Sequence, residues 1–159
     1  ESERVPHVQK YIDTAIKLGG LINATDPTNA FERSKKNTKN GTTMKSLYPE
    51  LGIGLGSFLG SNLKKHRGLI ASQPRLSKNQ LMDDLSGYKS VFISRSPIKG
   101  LLTNISELPF LCIDTIAEPG LNQFLDDLSV EAVLIRPDRY ILGTAKSFDE
   151  QEALISIRY

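Results

Sequence analysis

The chain is short of the residues that most soluble chemistry relies on. Of its 159 residues, one is cysteine, two are histidine and none is tryptophan. A single cysteine, Cys112, excludes any internal disulfide and any two-thiol redox cycle within the chain, and fits a reducing cytoplasm. Two histidines, His7 and His66, have neither a second histidine nor a cysteine at ligand spacing, which argues against a metal site. Charge of one sign is also missing. Lys plus Arg is 20 and Asp plus Glu is 18, so the net charge is +2. That balance gives no electrostatic reason for a nucleic-acid or anionic-membrane partner. No apolar run reaches the length of a membrane span, and Glu1-Ser2-Glu3-Arg4 has no secretory apolar core. The chain opens on Glu1 rather than Met, and reads as a piece of a longer protein.

What is present is patterning. From Tyr88 onward, apolar runs and helical segments alternate in a fixed order. Val91-Phe92-Ile93 predicts a strand, 98–108 a helix, and Phe110-Leu111-Cys112-Ile113 a second strand. A helix over Leu121 to Leu128 follows. Then Ala132-Val133-Leu134-Ile135 and Tyr140-Ile141-Leu142 flank Arg136-Pro137-Asp138-Arg139, a turn-forming connection. Phe148 to Ile157 predicts a closing helix. The first crossover suits a right-handed βαβ unit with parallel strands, and the Pro-Asp connection suits an antiparallel hairpin. The fold class is therefore α/β, with a mixed sheet in the thioredoxin-like order βαβαββα.

Upstream, residues 5–22 predict an amphipathic helix, with Val5, Val8, Ile12, Ala15, Ile16 and Leu18 near one face. Pro6 sits in its first turn, and Gly19-Gly20 weakens its far end. A second helix is expected around Ala30-Phe31-Glu32-Arg33, after the Asp26-Pro27 start signal. The apolar-free run 34–41 then marks the boundary of a helical lead-in, 1–46, from a main domain, 47–159. The glycine-punctuated residues 47–60 predict packed coil, Leu69-Ile70-Ala71 a short strand, and Gly87 the end of a short segment carrying Asp83-Asp84.

Several motifs fail on inspection. Counting from Gly52, the sixth residue is Ser57, and counting from Gly54 it is Leu59, so no dinucleotide fingerprint forms. No nucleophile elbow occurs, and Lys64-Lys65-His66-Arg67 lacks interleaved aromatics. Cys112 reads as a small buried hydrophobe. A redox thioredoxin carries Cys-x-x-Cys where Ser94-Arg95-Ser96-Pro97 stands here. Adjacent acids such as Asp83-Asp84 and Asp126-Asp127 diverge on a helix and make poor acid–base couples. Arg136 is expected at the hairpin mouth, pairing with Asp149 or Glu150 of the closing helix.

Two separated stretches resemble one family. Glu1-Ser2-Glu3-Arg4-Val5-Pro6-His7-Val8 is similar to the acidic-Arg-x-Pro-His segment that opens a long helix in FAD-dependent aromatic-ring monooxygenases. These are the enzymes of the phenol hydroxylase and 3-(3-hydroxyphenyl)propionate hydroxylase type. Gln73-Pro74-Arg75-Leu76, Asp83-Asp84 and Gly87 resemble their approach to the C-terminal domain. The run from Ala132 to Ile141 resembles their Leu-x-Arg-Pro-Asp-Gly-Tyr segment, with Arg139 where Gly is usual and Gly143-Thr144 where an aromatic residue often follows.

The resemblance implies a thioredoxin-like C-terminal domain without redox cysteines. Its partner would be the N-terminal FAD and substrate domain of the same protein, and homodimer contacts are allowed. FAD and NAD(P)H would serve the parent enzyme in hydroxylating a phenolic ring. The family's cofactor and substrate residues fall before Glu1, so no catalytic, cofactor-binding or metal residue is assigned in this chain. With the partner domain absent, the helix from Val5 to Ile22 is expected to expose apolar surface. The alternative is a free-standing thioredoxin-like binding or transferase module, using a strand-end crevice near Ser94, Pro97 and Asp114 for a thiol ligand.

Overall fold

A computed structural model describes residues 1–22, 48–52, 54, 59–97 and 110–157. The helices expected around 30–33 and 98–108 lie outside these residues, as does part of the glycine-rich coil. The described chain is mixed α/β. Helix α1 spans Arg4–Ile22, and the short helix α2 spans Met82–Ser86. Strand β1 (Ser90–Ser94), strand β2 (Phe110–Asp114) and helix α3 (Leu121–Leu128) follow. Strands β3 (Ala132–Ile135) and β4 (Ile141–Ala145) precede helix α4 (Phe148–Ile155). Single 3-10 turns occupy Ser61–Lys64 and Ser77–Asn79. No described helix is long and apolar enough to cross a membrane.

The four strands form one sheet in the order β2-β1-β3-β4. β1 runs parallel to β2, pairing Ser90 with Phe110 and Ser94 with Asp114. β3 lies antiparallel to β1, and β4 antiparallel to β3. Both faces are covered, which explains why the strands read as unbroken apolar runs. Val91, Ile93, Val133 and Ile135 point to one side, against Leu121, Phe124 and Leu125 of α3 and Met82 of α2. Phe92, Leu134 and Leu142 point to the other, against Leu154 and Ile155 of α4 and Leu59 and Leu63. Each fully buried side chain of this kind contributes roughly 1.5–3 kcal/mol.

The register of β3 and β4 slips between the pairs Leu134–Gly143 and Ile135–Ile141, leaving Leu142 as the extra residue of a bulge. Gly143 lies beneath α4, where a Cβ would fall 2.7 Å from Leu154 Cδ1. An aromatic residue there has no room. The expected strand at Leu69–Ala71 is reduced to one bridge, between Ile70 and Tyr140. Backbone bonds from Gly68 N to Ile141 O and from Ala71 N to Arg139 O nevertheless lay this segment along the free edge of β4.

Candidate functional site

The densest polar cluster among the described residues joins the start of the chain to the β3–β4 hairpin. The hairpin is built by its own sequence. Pro137 and Asp138 occupy the middle of a turn closed by Arg139 N to Arg136 O at 3.0 Å, with Arg136 N to Tyr140 O at 2.9 Å behind it. Arg139 then takes a left-handed φ of +68°. This is the three-residue hairpin loop whose last position favours glycine. Arg139 occupies it while its side chain pairs with Asp83 and donates to the Gly87 carbonyl at 2.7 Å. Arg139→Ala is expected to lose that anchor and keep the backbone strain. Arg139→Gly loses the anchor but relieves the strain. The glycine variant should therefore be the more stable of the two by about 1 kcal/mol, measured as the difference between their urea midpoints.

Arg136 projects from the hairpin mouth, where its side chain is only 13% exposed. It hydrogen-bonds the Glu3 carboxylate and, through Nη2, Asp138 Oδ2 at 2.9 Å. Burial alone would lower the guanidinium's pKa. The Glu3 hydrogen bond and the charges of Asp138 and Glu3 outweigh burial and raise it. The expected pairing with Asp149 or Glu150 is incorrect. Those acids sit in the first turn of α4, beyond the far end of β4 from the hairpin. Glu150 is also occupied there, accepting from Lys146 N at 2.7 Å and Asn62 Nδ2 at 2.9 Å.

Three further contacts seat the opening segment. Arg4 Nη2 reaches Asp138 Oδ2 at 3.1 Å, and its guanidinium lies 5.7 Å from the Tyr140 ring centre. His7 is buried, with Nε2 2.9 Å from the Tyr140 hydroxyl. Its ring meets Tyr11 and Tyr140 edge-on. The glycine-rich coil forms the floor. Gly52 N donates to Glu3 O at 2.9 Å, and a Cβ on Gly52 would overlap the Ser2 carbonyl oxygen. A Cβ on Gly54 would fall 2.5 Å from the Glu3 carboxylate. The glycines that fail as a dinucleotide loop therefore serve close backbone approach. A cleft of about 10 Å³ between Glu3, Gly52, Arg67 and Arg136 has room for roughly one water.

The strand-end crevice is occupied by its own side chains. Ser94 and Asp114 are register partners at the ends of β1 and β2. The Ser94 hydroxyl donates to Gln151 Oε1 at 2.9 Å and accepts from Ser96 N at 3.0 Å. Asp114 caps the following turn through Ala117 N at 2.9 Å. Arg95 spans the mouth, bonding Asn122 at 3.1 Å and Asp126 at 2.5 Å. Pro97 is exposed beside it.

Cys112 is half-buried against the α4 side of the core, and burial pushes its thiol up to about 11. That thiol stays protonated near neutral pH. The paired acids separate, as adjacent helical residues must: Asp83 pairs with Arg139, while Asp84 accepts from Leu81 N at 3.0 Å. No cluster of three or more His, Cys, Asp and Glu side chains suited to a metal occurs among the described residues.

In the basic run, burial and then Lys65 lower the pKa of His66 below its ordinary 6.5, against a bond to the Leu128 backbone. The folded state therefore resists a proton that the unfolded chain accepts. Its stabilising contribution is complete above pH 6.5 and declines as the pH falls below that value. His66→Gln is expected to flatten the loss of urea stability between neutral and mildly acidic pH, relative to the parent chain.

No family model, curated protein or solved structure matches the chain.

Proposed function

We propose that the chain is the non-catalytic, thioredoxin-like C-terminal region of an FAD-dependent aromatic-ring monooxygenase of the phenol hydroxylase type. The observation that carries this reading is the meeting of two distant segments. The stretch Glu3-Arg4-Val5-Pro6-His7 and the stretch Arg136-Pro137-Asp138-Arg139-Tyr140 each resemble that family separately. They touch through Glu3–Arg136, Arg4–Asp138 and His7–Tyr140. These contacts fit one mechanical device that fixes the incoming chain against the sheet.

The finer fold assignment is supported by the strand order β2-β1-β3-β4, with one parallel and two antiparallel pairings. In this reading FAD and NAD(P)H belong to the upstream domain and supply the hydroxylation chemistry. This chain supplies domain packing and subunit contacts, in a cytoplasmic enzyme. The crevice alternative has less support, because Ser94 and Asp114 are already engaged internally.

The test is to isolate the native polypeptide from source cells with an antibody to this chain. A yellow flavoprotein several times heavier than 17.6 kDa is expected. A colourless species of 17.6 kDa would overturn the reading.

A further inference from the structure

We draw no further inference here: the strongest candidate, the exposed apolar face of helix α1 formed by Val5, Val8, Ile12 and Ile16, carries nothing because nothing in the structure shows what covers it.

Discussion

Replacing Arg136 with alanine is expected to lower the unfolding free energy by about 3 kcal/mol, the low end of the range for a buried pair stripped of one partner. The side chains of Arg136 and Glu3 are only 13% and 17% exposed, so water screens their pairing weakly. Asp138 keeps Arg4 as a partner, whereas Glu3 loses the guanidinium that ties it to the hairpin. The first turns of α1 should loosen with it, seen as faster amide exchange over residues 5–11. Arg136→Lys should fall between, since an ammonium keeps the charge and loses the planar fork that reaches both acids. Equal urea midpoints for Arg136→Ala and the parent chain would remove the junction's energetic role.

Replacing Gly52 with alanine is expected to cost about 2–3 kcal/mol, a large effect for one methyl group. The added Cβ would collide with the Ser2 carbonyl oxygen, which is backbone and cannot rotate away. Pro6 Cγ, 3.1 Å from the same point, crowds it further. The opening segment would have to lift off, breaking the bond from Gly52 N to Glu3 O. Gly20→Ala is the control. No described residue lies within 4 Å of its Cβ position, so it should be neutral or stabilising. Destabilisation by Gly20→Ala matching that by Gly52→Ala would mean that glycine loss, not this collision, sets the effect.

The elements of the sheet were legible because burial leaves a local mark. Val91-Phe92-Ile93 and Ala132-Val133-Leu134-Ile135 are apolar on both faces, and α3 spans the Leu121–Leu128 read from periodicity. Strand ends were less legible. Ser94 and Thr144 are polar yet buried within strands, Ser94 through its bond to Gln151. The apolar run Tyr140-Ile141-Leu142 ends before Gly143-Thr144. β4 instead runs on to Ala145, because α4 packs where Gly143 has no side chain.

The junction was legible only in halves. Both of its segments stood out as motifs, but nothing local in either names the other. Glu3 and Arg136 are 133 positions apart, and proximity in sequence pointed to Asp149 and Glu150 instead. The floor of the junction was hidden for a different reason. Gly52 acts through the side chain it lacks, and that becomes visible only when the Ser2 backbone is placed against it.

Glu3 and Arg136 are expected to act as one unit, and a double-mutant cycle measures that most directly. Urea unfolding of the parent chain, Glu3→Gln, Arg136→Ala and the double variant gives the coupling between them. A coupling of about 1.5 kcal/mol or more is expected. Additive effects, with a coupling near zero, would mean that the opening segment and the hairpin are neighbours without being a device.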